Sequence, residues 1–253
     1  MLQSTFVHIP KVGKRFEERI WTHVLDWEEF LDKYEDLDIP VSKKIHVACY
    51  VKKSIEAYRN GNMRFFANLL EPALHWRAYL HCKKVGFLDI ETTGLSKERD
   101  SLTVIGLYDG DETNILVNGK NLHQFESIIN QYDMLITYNG RCFDLPFLKS
   151  KFPSVNLNQL HVDLRFVMRS LGYSGGLKMI EKSLGLARDD EISDVDGLEA
   201  VRLWHRYQKG DENSLKKLIE YNKADIKNLK FLMDFAYKQL MRNYQKPQVS
   251  HAL

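Results

Sequence analysis

Three short stretches of the sequence carry acids in patterns that can do chemistry: Asp89-Ile90-Glu91-Thr92-Thr93-Gly94, Asn139-Gly140-Arg141-Cys142-Phe143-Asp144 and Tyr221-Asn222-Lys223-Ala224-Asp225. Asp89 and Glu91 end an apolar run with β character that begins at Val85, and residues two apart on a strand project to the same face. Two carboxylates side by side repel unless a cation binds between them, and Mg²⁺ and Mn²⁺ take oxygen ligands. Gly94 and the two threonines then turn the chain and let its backbone approach a substrate. Asp144 follows an apolar strand and an Asn139-Gly140 turn, and falls in the first turn of a helix, where an acid also suits the helix dipole. Tyr221 and Asp225 stand at i and i+4, so they share a helix face, beside the apolar stripe of Ile226, Leu229 and Leu232. An acid next to such a stripe is costly to bury without a partner. Taken singly, each stretch has a plainer reading: a solvated strand end, a helix cap, a boundary aspartate paired to a lysine.

Positioning three distant acidic stretches around one point is a task for a sheet covered by helices. Short apolar runs at 85–90, 102–108 and 113–117 read as strands, with Asp109-Gly110-Asp111 as a hairpin signal between the last two. A helical stretch follows at about 122–131, then a strand at 134–138, a helix at 143–151 and a strand at 159–164. Helices are expected at about 166–171, 177–184, 198–208 and 213–244. Hairpin-linked strands followed by alternating helix and strand imply an α/β fold with a mixed sheet. Residues 1–84 read differently, as mostly helical. Asp26 caps a helix lined by Trp27, Phe30 and Tyr34, with Glu29 in the capping-box position. A second pattern covers 47–59 and stops near Gly61, and a third starts near Asn62 and is interrupted at Pro72. The expected division is a helical region at 1–84, a sheet domain at 85–245 and a frayed tail at 246–253.

Composition excludes several classes. The chain has 253 residues, 44% hydrophobic and 28% charged, which is ordinary for a globular protein and wrong for a disordered or collagen-like one. Its net charge of +2 writes no strong attraction to nucleic acid into the whole molecule, so phosphate contact must be local. Residues 1–84 hold 14 basic and 11 acidic residues, a surplus of +3 that suits a role in guiding single strands and also suits ordinary solvated helix faces. Three cysteines without a CxxC pair argue against a disulfide framework or a zinc site. No apolar run approaches the roughly 18 residues of a membrane span, and no signal pattern opens the chain. The expected location is the cytoplasm, with no membrane partner.

The order Asp-x-Glu on a first strand, Asn-x-x-x-Phe-Asp after a later strand and Tyr-x-x-x-Asp on a late helix resembles the DEDD superfamily of 3′→5′ exonucleases, the DnaQ-like group with an RNase H-like fold. The tyrosine four residues before the last aspartate resembles its DEDDy branch; the other branch has a histidine five before it, where this chain has Glu220. Beyond these motifs, the opening Thr5-Phe6-Val7-His8-Ile9-Pro10, the pair Trp76-Arg77 and the stretches Leu88 to Leu95, Leu198 to Trp204 and Tyr221 to Asp225 resemble the YprB-type RNase H-like exonucleases.

The resemblance implies an RNase H-like mixed sheet flanked by helices, with a mainly helical N-terminal extension. It implies two divalent ions, Mg²⁺ or Mn²⁺, held by Asp89, Glu91, Asp144 and Asp225, with Asp89 bridging both. Such a pair neutralises phosphodiester charge and lowers the pKa of a bound water. Glu91 would help position that water and Tyr221 would orient it; an ordinary tyrosine, with a pKa of about 10, is a poor base at neutral pH. Thr92, Thr93, Gly94, Leu95, Asn139 and Phe143 would line the pocket for the terminal nucleotide. The substrate would be nucleic acid, DNA or RNA, preferably a single-stranded 3′ end, released as nucleoside 5′-monophosphates. Arg165, Arg169, Lys178 and Lys182 either track phosphates or form solvated helix faces. His161 and Asp163 offer a fifth ligand, although four acids already complete the set. The competing readings are a catalytically silent nucleic-acid-binding module and a structure-selective endonuclease on the same fold.

Overall fold

The computed structural model describes residues 1–244; the expected tail at 246–253 lies outside them. In chain order the elements are α1 (Lys14–Trp21), α2 (Trp27–Lys33), α3 (Val41–Arg59), α4 (Met63–Leu69), a 3-10 helix at Pro72–His81, β1 (Val85–Thr92), β2 (Leu102–Tyr108), β3 (Thr113–Val117), α5 (Phe125–Ile129), β4 (Met134–Thr137), α6 (Asp144–Lys151), β5 (Leu160–Asp163), α7 (Leu164–Ser170), α8 (Leu177–Ser183), α9 (Asp190–Ser193), α10 (Gly197–Gln208) and α11 (Glu212–Asn243). Among the described residues the sheet has five strands in the order β3-β2-β1-β4-β5. β1, β2 and β3 pair antiparallel through hairpin-like connections, whereas β4 joins β1 and β5 joins β4 in parallel. Parallel pairing requires a crossover, which α5 and α6 supply. This is the mixed, helix-covered sheet expected from the sequence.

β1 is central and buried on both faces, which is why its apolar residues run together rather than alternate. Leu88 and Ile90 pack with Phe125, Ile129, Phe147 and Leu148 on one side. Phe87 points to the opposite side, into a core shared with Ile226, Leu229 and Leu232 of α11. Asp89 and Glu91 follow Phe87 on that second face, so the fold directs them toward the long last helix. The β1–β2 pairing shifts register between Glu91 and Thr92. Such a bulge bends the strand and re-aims the side chains beside it.

The N-terminal helices share this second core. Trp27, Phe30, Val47, Phe66 and Trp76 are buried in the same cluster as Met134, Leu160 and Met233. Asp26 caps α2 by accepting the amide of Glu29 at 3.0 Å, and Glu29 returns a bond to the amide of Leu25 at 2.6 Å. The helix expected at 47–59 begins earlier, at Val41, with Pro40 as its N-cap residue, whose carbonyl accepts the amides of Lys43 and Lys44 at 2.9 and 3.0 Å. Pro72 does not leave a loop behind it: it opens the 3-10 helix that delivers Trp76 and Arg77 to the interior.

That 3-10 helix gives the opening motif a structural meaning. Glu17 is fully buried and accepts the amides of Phe6 (2.6 Å) and Val7 (3.1 Å), while Arg77 Nη1 reaches both of its oxygens at 2.9 and 3.0 Å. Trp21 and Trp27 close the same knot through indole bonds to the carbonyls of Ser4 and Thr5. Removing one partner of such a buried pair costs about 3–5 kcal/mol because the other charge is left unpaired.

Candidate active site

The three acidic stretches converge at one end of β1. Side-chain oxygens of Asp89, Glu91 and Asp225 lie within 4.8 Å of one another. Asp144 stands in the wall of the same cleft, whose volume is about 530 Å³, outside that tight trio. Asp89 is half-buried; Glu91, Asp144 and Asp225 are buried. β1 supplies the first pair, the N-terminal turn of α6 supplies Asp144, and α11 lays Tyr221 and Asp225 across the face from which Asp89 and Glu91 project.

Burial and mutual repulsion hold these carboxyls well above their ordinary range. Asp89 is raised first by desolvation and then by Asp225, Glu91 and Asp144, and Glu91 by desolvation and Asp225. Desolvation lifts Asp144 to about 7, against the backbone bonds that favour its charged form. Asp225 reaches about 6, desolvation outweighing the pull of Arg188. Glu91 Oε1 is buried with no hydrogen-bond partner. An all-carboxylate set of this kind, electrostatically underpaired and with an orphaned acceptor, fits a hard divalent cation such as Mg²⁺ or Mn²⁺. Tyr221 is raised by desolvation and by Asp225, Glu91 and Asp89, so its hydroxyl stays protonated and acts as a donor.

Every residue expected to meet substrate lines this cleft: Thr92, Thr93, Gly94, Leu95, Asn139 and Phe143. Leu95 is 86% exposed at the mouth. Phe143 is half-buried, its ring centroid 5.7 Å from that of core residue Phe147, so one side packs and the other faces the cleft. Gly94 has a packing reason for being glycine: a Cβ there would meet the Asp100 carboxylate at 2.6 Å. Asp100 in turn accepts the amide of Ser96 at 2.8 Å, and Thr92 Oγ1 donates to the Gly94 carbonyl at 2.7 Å. The 93–101 loop is thereby folded on itself. Among the nearby aromatics, Tyr138 and Phe143 line the cleft, whereas Phe147 and Phe152 pack with the core.

Asp163 and His161 serve elsewhere. Asp163 accepts the amides of Asn139 (2.8 Å), Arg141 (3.0 Å) and Arg165 (3.0 Å), and so holds the turn in which Asn139 takes a positive φ of 63°. His161 bonds Thr137 Oγ1 at 2.9 Å, and burial with the neighbouring His75 pushes its pKa down to about 4. Arg165 is committed to the side-chain oxygen of Asn139 at 2.6 Å, and Lys178 to the carbonyls of Ser193 (2.9 Å) and Val195; Arg169 and Lys182 are exposed.

Three features escape a reading of the acidic motifs alone. Gly197, Leu198 and Val201 of α10 line the cleft together with Leu95. Asn222 is fully buried and donates to Asp89 Oδ2 at 2.8 Å; its place in the buried series Leu218, Asn222, Asp225, Ile226, Leu229 is a helical spacing that marks it as inward-facing. Arg188, on the loop after α8, pairs with both Glu181 and Asp225, and nothing in its local sequence announces this.

Comparison with known proteins agrees with this geometry. A profile of the RNase_H superfamily matches residues 86–237, well over half of the chain and the span that holds all four acids. An uncharacterized protein of Methanocaldococcus jannaschii, MJ0365, is 29% identical over 157 residues, covering 55% of this chain and 87% of that protein. The uncharacterized protein YprB of Bacillus subtilis is 27% identical over 184 residues, covering 64% of this chain and 44% of YprB, so the match spans less than half of that relative. A family B DNA polymerase from the archaeon Pyrobaculum calidifontis superposes with a TM-score of 0.51 at 15% identity over 60% of this chain and 24% of the polymerase, a likeness of fold. With a mixed five-stranded sheet, an acidic cluster at the end of its central strand and the matching profile across both, the chain belongs to the RNase_H superfamily and has its RNase H-like nuclease fold.

Proposed function

We propose that this protein is a metal-dependent 3′→5′ exonuclease of the DEDDy type, using two Mg²⁺ or Mn²⁺ ions to release nucleoside 5′-monophosphates from single-stranded DNA or RNA. The observation that carries the reading is the convergence of Asp89, Glu91, Asp144 and Asp225 on one cleft that Tyr221 also lines. Divalent ions, when bound, supply charge neutralisation at the phosphodiester and an acidified water. Asp89, Glu91, Asp144 and Asp225 would hold them. Asn222 fixes the Asp89 carboxylate through its amide. The Tyr221 O–H orients the attacking water and keeps its own proton. Leu95 and Leu198, both exposed and facing the cleft from opposite elements, offer apolar surface for a terminal base. The 93–95 backbone and Asn139 border the same pocket. The activity is assigned to residues 85–245, with 1–84 as a packed helical extension.

The test is incubation of single-stranded DNA and RNA with wild-type protein and Asp144→Ala in Mg²⁺, in Mn²⁺ and in EDTA. Polymer loss by the wild type alone, and only with metal, is the expected result. Persistent substrate with folded wild-type protein in either metal overturns the reading in favour of a binding module.

A further inference from the structure

We propose that Arg188, clamped by Glu181, is a positioning residue that fixes the Asp225 carboxylate for cation binding by engaging one of its two oxygens. The inference rests on the cation site proposed above. The Arg188 side chain is 6% exposed. Its Nε and Nη2 donate to the two oxygens of Glu181, each at 2.7 Å, and Nη2 also donates to Asp225 Oδ1. Asn228, three residues beyond Asp225 on α11, donates to Glu181 Oε1 at 2.9 Å. The network therefore ties α8 to α11 at the turn that carries Asp225. The guanidinium also lies 5.4 Å from the centroid of the Tyr221 ring, so one group touches both chemically important side chains of that helix.

The charges explain why the arrangement suits a cation site. An arginine alone beside Asp225 would cancel the field that attracts a cation. Paired bidentately to Glu181, Arg188 has its charge at Asp225 opposed by that of Glu181, yet its planar fork still spans two carboxylates. What remains is geometry: with Oδ1 engaged by Arg188 and the carboxylate also bonded by Tyr221, Asp225 is held in one orientation. Buried ion pairs add little to stability compared with apolar groups of the same shape, so a positional role accounts for the pair better than a stabilising one. Outer groups that orient ligating carboxylates are the usual means of tuning a metal site.

The experiment is calorimetric titration of Mn²⁺, without nucleic acid, into wild type, Arg188→Lys and the double variant Glu181→Gln/Arg188→Met. The double variant removes one charge of each sign and leaves the local net charge unchanged. The expected result is Mn²⁺ binding weakened roughly 10- to 100-fold in the double variant, with a smaller loss in Arg188→Lys, which keeps the charge without the fork. Thermal unfolding in EDTA separates this from a structural defect, because the double variant should unfold no earlier than the wild type. Wild-type affinity in the folded double variant overturns the inference alone, as does wild-type affinity in Arg188→Lys if the double variant does not fold. Absence of Mn²⁺ binding by the wild type overturns the cation site itself and this inference with it.

Discussion

Asn222, inside the last helix, donates its side-chain amide to Asp89 Oδ2 at 2.8 Å on the central strand, across 133 residues of sequence. The contact exists because Gly106, on the neighbouring strand, leaves room for it: a Cβ at 106 would lie 2.0 Å from Asn222 Oδ1. Gly106→Ala should therefore expel Asn222 and loosen Asp89. The expected outcome is a loss of about 1–3 kcal/mol in urea unfolding, the usual range for overpacking a tight interior. Mn²⁺ binding should weaken by roughly tenfold alongside it. A variant with wild-type stability and affinity would show that Asn222 does not organise Asp89.

The raised carboxyls predict how stability depends on pH. Asp144 titrates near 7 and Asp225 near 6 in the folded protein, against about 3.9 in an unfolded chain. The folded state binds these protons more tightly, so in EDTA the contribution of these two groups to stability is full below about pH 4 and is lost as pH rises through 6 and 7, while the imidazoles of His8, His81 and His161, whose pKa values burial pushes down, contribute in the opposite sense. Saturating Mg²⁺ or Mn²⁺ should reverse much of the carboxyls' loss, because cations bind the ionised form. The stabilising increment should thus be larger at pH 8 than at pH 5. Melting curves with and without metal across this range test it, and an increment that shrinks as pH rises contradicts it.

Asp163 should matter to the fold and not to the metal. It accepts three amides that no other group satisfies in the turn at 139–141 and the start of α7. Asp163→Ala is expected to cost at least about 2 kcal/mol, since hydrogen bonds to a charged acceptor are the stronger kind. Mn²⁺ affinity measured on the folded variant should stay within about threefold of wild type. A larger loss would restore Asp163 as a ligand.

Tyr221→Phe separates orientation from binding. Losing the hydroxyl should lower kcat by up to about 10²-fold through misplaced water, with KM and Mn²⁺ affinity nearly unchanged. A pH–rate profile keeping its wild-type shape is also expected, because burial and the neighbouring carboxylates push the hydroxyl's pKa up, away from neutral pH. A lost alkaline limb would mean that the tyrosine acts as a base.

How much was legible in the sequence follows from which interactions are local. Asp89 and Glu91 share a face because strand geometry demands it, and Tyr221 and Asp225 because helix geometry does, so both pairs could be read from spacing. The Asp26 cap and the hairpin between β2 and β3 were legible for the same reason. Arg188, Glu181 and Asn222 act across the chain, on side chains 37, 47 and 133 residues away, and only the packing of α8 and β1 against α11 brings them together. The 3-10 helix at 72–81 was hidden by Pro72, which reads as a breaker but here opens the element. The glycine at 94 had a visible turn signal, while its contact with Asp100 depends on how the 93–101 loop closes.

The end from which nucleotides are removed is what most sharply distinguishes a 3′→5′ exonuclease. Single-stranded oligonucleotides labelled at the 5′ or the 3′ end, digested in Mn²⁺ and resolved over time, give the answer. A 3′→5′ exonuclease gives a 5′-labelled ladder shortening one nucleotide at a time and immediate release of labelled mononucleotide from the 3′-labelled strand, both abolished by EDTA and by Asp144→Ala. Internal fragments at early times, or mononucleotides from the 5′ end first, would contradict that activity.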